Sequence, residues 1–101
     1  MIRVFAYRKR GYFRLYVTGH ADYNPGEDVV CAGVSALVGA LLSFATKSRD
    51  CRHLRWSAHP GEVFLACRGG LGVGFDIVLA GLEQIAAGYP DHVCVEKSGA
   101  A

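Results

Sequence analysis

Ile2-Arg3-Val4-Phe5-Ala6-Tyr7-Arg8-Lys9-Arg10-Gly11-Tyr12-Phe13-Arg14-Leu15-Tyr16-Val17-Thr18-Gly19 opens the chain and decides its fold class. Over Ile2–Arg8, the residues Ile2, Val4 and Ala6 alternate with Arg3, Phe5 and Tyr7. A period of two puts successive side chains on opposite faces of a half-buried strand. Lys9-Arg10-Gly11 supplies a short loop ending in glycine, a hairpin signal. From Tyr12 to Gly19 the alternation resumes, with Phe13, Leu15 and Val17 set against Arg14, Tyr16 and Thr18. Two strands joined this tightly are antiparallel neighbours, and their apolar face needs a second layer to cover it.

Downstream, His20–Glu27 has turn chemistry centred on Asn24-Pro25-Gly26. Asp28 is a candidate N-cap for a long helix over Val29–Thr46, rich in small residues. Val30, Val34, Leu37, Leu41 and Phe44 recur at helical spacing and predict its buried stripe. After a polar exit at Lys47–Cys51, Arg52–Ala58 reads as a strand with Leu54, Trp56 and Ala58 on one face. His59-Pro60-Gly61 turns it back into a strand over Glu62–Arg68. Gly69-Gly70-Leu71-Gly72 leads into a second helix, Val73–Ala87, with Ile77, Val78, Leu82 and Ile85 predicted inward. Gly88 stops it and Pro90 prevents its continuation. Val93–Lys97 is a final short strand, and Ser98–Ala101 is expected to fray. The order β-β-α-β-β-α-β predicts an α+β two-layer sandwich, with two helices on one face of a mostly antiparallel sheet. The chain is one domain, 1–101.

Composition narrows the function. Of 101 residues, 51% are hydrophobic and only 20% charged, and the net charge is +2. The low charged fraction makes a homo-oligomer a reasonable expectation, since apolar surface on so small a domain must be covered. No stretch reaches the ~18 uninterrupted apolar residues of a membrane span, so no membrane partner is expected. The amino terminus alternates charged with apolar residues and lacks the continuous apolar region of a signal peptide. Cys31, Cys51, Cys67 and Cys94 are therefore expected as reduced thiols in the cytoplasm. A net charge of +2 is too small to point to nucleic acid, and Arg8-Lys9-Arg10 sits where a solvated hairpin turn belongs. Direct nucleic-acid binding is not expected.

Chemistry concentrates in Thr18-Gly19-His20 and the segment Gly26-Glu27-Asp28-Val29-Val30-Cys31-Ala32-Gly33-Val34-Ser35. A histidine ends a strand, and a cysteine sits in the first turn of a helix. The thiolate is the nucleophilic form of cysteine, and a free thiol is mostly protonated at neutral pH. Unpaired N–H groups and partial positive charge at a helix amino terminus favour the thiolate, and a neighbouring histidine favours it further. The same N–H groups, that of Cys31 first among them, suit the oxyanion formed when a thiolate attacks a peptide carbonyl. Asp28 has two readings: it caps the helix by accepting from a first-turn N–H, or it orients His20 as a third member. Against catalysis stands the commoner role of cysteine as a small buried hydrophobe.

Gly19-His20-Ala21, followed by Gly26-x-Asp28-Val29-Val30-Cys31-Ala32-Gly33-Val34-Ser35, resembles the ribosomal-processing cysteine protease family (Prp). The resemblance extends to the element order and to Leu82-Glu83-Gln84-Ile85-Ala86 followed by Tyr89-Pro90, so it covers nearly the whole chain. It implies His20 as catalytic histidine and Cys31 as nucleophile; Gly26, Asp28 and Ser35 are candidate supporting residues, and no cofactor or metal is expected. It further implies a homodimer that trims a short amino-terminal extension from large-subunit ribosomal protein twenty-seven, after a hydrophobic, Phe-rich motif. Asp22 departs from the smaller residue expected there, and Cys51, Cys67 and Cys94 have no place in the pattern.

Other constellations are weaker. Gly70, Gly72 and Gly74 suggest a phosphate loop, but Phe75 stands where the pattern needs glycine and no Walker Lys-Ser follows; a tight strand-to-helix turn is the better reading. Cys51-Arg52-His53 and His92-Val93-Cys94 hold a zinc ligand set without the usual spacing. Tyr7, Tyr12, Phe13 and Tyr16 beside Arg8-Lys9-Arg10 have the composition of a sheet-face RNA binder, but a sheet needs aromatics for packing and no RNA-binding signature is present. The alternative to a protease is thus a non-enzymatic ribosome-associated binding module.

Overall fold

The computed structural model describes residues 1–20 and 28–99, with Asp28 described by its backbone alone. The turn around Asn24-Pro25-Gly26, with Asp22, lies outside the described residues. Seven elements follow one another: β1 (Ile2–Lys9), β2 (Tyr12–Thr18), α1 (Asp28–Lys47), β3 (Arg52–His59), β4 (Glu62–Arg68), α2 (Gly72–Gly88) and β5 (Val93–Ser98). The order is the one read from the sequence, and the fold is α+β. Lys9 joins β1, leaving Arg10-Gly11 as a two-residue turn, and β5 runs one residue into the stretch read as tail.

The strands form one sheet in the order β3-β4-β2-β1-β5. Every neighbouring pair is antiparallel except β1 with β5, which is parallel. That exception is forced: α2 carries the chain across the helical layer, so β5 enters beside β1 in the same direction. One sheet face presents Ile2, Val4 and Ala6 of β1, Phe13, Leu15 and Val17 of β2, Leu65 and Cys67 of β4 and Val93 of β5 to the core. Both helices cover this face. Among the described residues no polar or charged side chain is buried. The ionisable groups relevant to chemistry therefore lie at the surface, the buried thiols Cys51 and Cys67 apart.

The helix stripes differ from expectation. In α1 the buried set is Val30, Val34, Val38, Leu41 and Ala45, whereas Phe44 is 53% exposed. In α2 it is Phe75, Val78, Leu79 and Leu82, whereas Ile77 is 63% exposed. Leu37 and Ile85 point into the seam between the helices. A Cβ on Gly81 would stand 2.8 Å from Leu37 Cδ1, and one on Gly33 3.2 Å from Ile85 Cδ1. Small residues on each helix thus receive the large side chain of the other. By length and composition α1 is long and apolar enough to cross a membrane, but its sheet-facing stripe lies in the core.

On β3, Trp56 and Ala58 share the helix-side face, opposite Leu65 and Val63. The helices scarcely reach this edge strand, so Trp56 stays 53% exposed. A register shift between Arg52 and Arg55, with His53 at φ +55°, bulges the strand, a common device for protecting a sheet edge. Gly69 and Gly70 pack against the backbone of Asp50, as a strand-to-helix turn requires and a phosphate cradle does not. Cys51 precedes one edge strand and Cys94 lies on the other, so the two Cys–His pairs do not converge. Among the described residues no cluster of three or more His, Cys, Asp or Glu is arranged to hold a metal.

Candidate active site

His20 and Cys31 come from different elements, yet both line one cavity of about 350 Å³. Cys31 is half-buried in the first turn of α1. His20 is exposed, two residues beyond the end of β2. Its placement has a local cause. The Gly19 N–H donates to the Gly61 carbonyl (2.9 Å), tying the end of β2 to the β3–β4 turn. Gly19 sits at φ +101°, a region that favours glycine, and a Cβ there would strike the Met1 carbonyl oxygen. No residue with a side chain could hold the backbone so close.

Gly61 leaves room for the ring. It stands at φ +78° in the Pro60-Gly61 turn, the value required at the third position of a type II turn. The His20 imidazole lies directly over its Cα: a Cβ on Gly61 would stand 2.6 Å from His20 Nε2 and 3.1 Å from Cε1. Among the described residues no hydrogen bond joins the His20 ring to the Cys31 thiol.

Of the remaining residues singled out from sequence, Ser35 lies one helical turn beyond Cys31 and lines the same cavity. Asp28 begins α1, but its side chain, like the whole of Gly26, is outside the described residues. Sequence reading missed two participants. His59, paired with Glu62 beside the Pro60-Gly61 turn, borders the cavity at the sheet edge, and Gly61 underlies the His20 ring. The sequence signal for both was only a Pro-Gly turn.

Glu62 adds a carboxylate to the cavity mouth, and the floor is aliphatic. Val34, Val38 and Leu42 from α1 face Val17 and Val63 from the sheet. A polar rim of thiol and imidazole over an aliphatic floor can hold an apolar side chain while presenting an adjoining carbonyl to sulfur.

The other thiols differ in reactivity. Cys51 and Cys67 are buried. Burial, with a further contribution from the neighbouring Cys51, pushes the Cys67 thiol up to about 12, so it stays protonated and inert at neutral pH. Only Cys31 and Cys94 are partly accessible, and Cys94 lies on β5, away from either histidine of the cavity.

A family model described as cysteine protease Prp matches residues 1–94. No curated protein matches the chain. Among solved structures, SMU.848 from Streptococcus mutans superposes with a TM-score of 0.73 at 24% identity, over 99% of this chain and 96% of that one. The essential ribosomal processing protease Prp from S. aureus, in complex with a substrate peptide, superposes with a TM-score of 0.75 at 21% identity, over 97% and 100%. The same S. aureus protease with a covalently linked product peptide gives 0.74, again at 21% identity and over 97% and 100%. At these identities the likeness is one of fold.

Proposed function

Because this chain belongs to the cysteine protease Prp family, we propose that Cys31 is its nucleophile and His20 its general base and acid. The observation that carries this assignment is the convergence of His20 and Cys31, from separate elements, on one aliphatic cavity. His20 takes the Cys31 proton, and the thiolate attacks the scissile carbonyl carbon to form a C–S bond and an oxyanion. First-turn N–H groups of α1 face the developing charge. Collapse expels the amine, which takes the proton from His20 and leaves a thioester; His20 then activates the water that cleaves it. Asp28 stands as helix cap or as the group orienting His20, with Ser35 and Gly26 supporting. No cofactor or metal takes part in this scheme.

The substrate proposed is a ribosomal protein, trimmed of an amino-terminal extension, with large-subunit protein twenty-seven as the specific target. Two things support it: the description of the S. aureus structures as a ribosomal processing protease, and the aliphatic floor, which suits a hydrophobic residue beside the scissile bond. A reducing, cytoplasmic setting is proposed with it, in which the Cys31 thiol stays available as nucleophile. Incubating the precursor protein with the enzyme and sequencing the new amino terminus tests the reading. Cleavage beside an apolar residue is expected, lost in His20→Ala and retained in His59→Ala. An intact precursor beside efficient cleavage of unrelated peptides would remove the substrate; loss of activity in His59→Ala alone would reassign the base.

The outer surface of the helices supports a homodimer. No charged residue lies on α1 between Asp28 and Lys47. Its exposed Ala40 and Phe44 join Val73 (76% exposed) and Ile77 of α2 around an apolar depression of about 600 Å³. A depression with no charged lining residue suits a second copy of the chain related by a two-fold axis. Ile77→Glu is expected to shift sedimentation from dimer to monomer while the monomer stays folded, since Ile77 contributes little to the core, and to remove any concentration dependence of the melting temperature. A wild-type protein that sediments as monomer at micromolar concentration would refute the dimer.

A further inference from the structure

The sheet face turned away from the helices is open, and its composition differs sharply from the rest of the chain. Pairing registers arrange it in rows across the strands. One row runs Ser57, Phe64, Tyr16, Phe5 and Glu96. Its central rings Phe5 and Tyr16 stack at 6.2 Å with planes 24° apart. The next row runs Arg55, Ala66, Arg14, Tyr7 and Ser98, and the end row sets Arg52 and Arg68 beside Tyr12 and Lys9. Arginine lies over a ring in each region: Arg14 over Tyr7 at 4.7 Å, Arg68 over Tyr12 at 5.5 Å and Arg55 over Phe64 at 5.9 Å.

The charge is one-sided. Arg3, Lys9, Arg14, Arg52, Arg55 and Arg68 lie on this face, six of the eleven Lys and Arg of the chain, against Glu62 and Glu96, two of its nine acids. Glu62 is already engaged by the Tyr16 hydroxyl at 2.5 Å. Summed over the whole chain this asymmetry disappears into a net charge of +2, which is why composition gave no hint of it. Of the four aromatics weighed in the sequence, only Phe13 serves the core, where it packs on Phe75 at 5.2 Å. Tyr7, Tyr12 and Tyr16 point outward.

We propose that this open sheet face binds single-stranded RNA. Unpaired bases offer flat π faces to exposed rings, and a sheet that stacks about two or three bases on such rings is a recurring RNA-binding arrangement. The guanidiniums beside each ring meet the phosphates between those bases, bidentately where geometry allows. Thr18, Ser57 and Ser98, on the same face, supply hydroxyls for the ribose 2′-OH. An acidic protein would use the arginines and leave the ring row without a partner. A second copy of the chain would bring six cations against six, whereas the apolar depression between the helices offers it a seat without that repulsion. A duplex hides its base faces.

Fluorescence anisotropy with a labelled single-stranded RNA of about ten nucleotides tests the proposal, in the range of site sizes such surfaces cover. Binding is expected that weakens as salt rises. The double variant Phe5→Leu with Phe64→Leu keeps apolar bulk but removes two π faces, and is expected to bind roughly ten-fold or more weakly. Arg14→Glu and, separately, Arg55→Glu on the edge strand are expected to weaken binding and flatten its salt dependence. All these variants should stay folded and keep wild-type peptide cleavage, since none of the residues lines the cavity. Absence of RNA binding at low ionic strength would overturn the proposal. So would unchanged affinity in the ring variant, which would reduce the face to a polyanion adsorber, or tighter binding of the matching DNA. Conversion of a dimer to a monomer by Arg14→Glu would assign the face to a second copy instead.

Discussion

Cys31→Ala is expected to abolish peptide cleavage, lowering kcat/KM by at least about 10³-fold, while the protein melts within a few degrees of wild type. Covalent catalysis has no substitute for the lost sulfur: the remaining partly accessible thiol, Cys94, sits on β5, and neither buried thiol reaches the cavity. The fold loses little. Cys31 is only half-buried, and alanine is the better helix former by several tenths of a kcal/mol, roughly offsetting the lost contacts. Cys67→Ala should give the opposite pattern. Cys67 is fully buried between β4 and the helices, so truncation costs about 1–2 kcal/mol in packing. Its thiol, held up near about 12, contributes nothing to chemistry at neutral pH, so cleavage should persist. Steady-state kinetics and thermal melts on both variants separate the two roles. Cleavage by a folded Cys31→Ala protein would reject the nucleophile.

That contrast was only half legible in the sequence. Strand alternation is a strong signal because a period of two leaves one register free, and Ile2, Val4, Ala6, Phe13, Leu15 and Val17 went to the core as read. The helices were harder. α1 is apolar or small on every side: Val30, Val34 and Leu41 went to the core as read, but the small Ala45 is buried where the bulky Phe44 was expected. Small residues win toward the sheet and in the seam because the layers approach closely there, as Gly33 and Gly81 demonstrate. In α2 it is the bulky Phe75, packed on Phe13 at 5.2 Å, that is buried, while Ile77 faces outward. On β1 and β2 both faces carry large apolar or aromatic residues, and alternation alone cannot say which face the helices cover. The arginine–aromatic rows became visible only once register aligned β4 and β3 beside β2.

The site divides along the same line. His20 and Cys31 belong to a local pattern and could be read directly. His59 and Gly61 reach them only through tertiary pairing, because Thr18 at the end of β2 stands opposite Glu62 at the start of β4. A Pro-Gly turn far along the chain carries no mark of what will rest on it. What rests on it is the imidazole.

Gly61→Ala is therefore expected to cost activity far more than stability. At φ +78° an L side chain adds roughly 1–2 kcal/mol of backbone strain, a few degrees of melting temperature or somewhat more for a domain of this size. The new Cβ would also stand 2.6 Å from His20 Nε2, closer than nonbonded atoms remain. The exposed imidazole can yield where the hydrogen-bonded turn cannot. Gly61 is anchored by its carbonyl to the Gly19 N–H, whereas among the described residues no hydrogen bond holds the ring. His20 must therefore swing away, and a displacement of about 1 Å in a catalytic group costs on the order of 10²-fold in rate. The loss should fall on kcat, because the aliphatic residues that grip the substrate are untouched. Alkylation supplies a second readout. If the histidine sustains the thiolate, the pH dependence of Cys31 carboxymethylation should shift toward that of an ordinary thiol, as in His20→Ala. A Gly61→Ala protein with wild-type kcat and an unshifted alkylation profile would show that the ring tolerates the methyl group, and that the turn beneath it does not position the base.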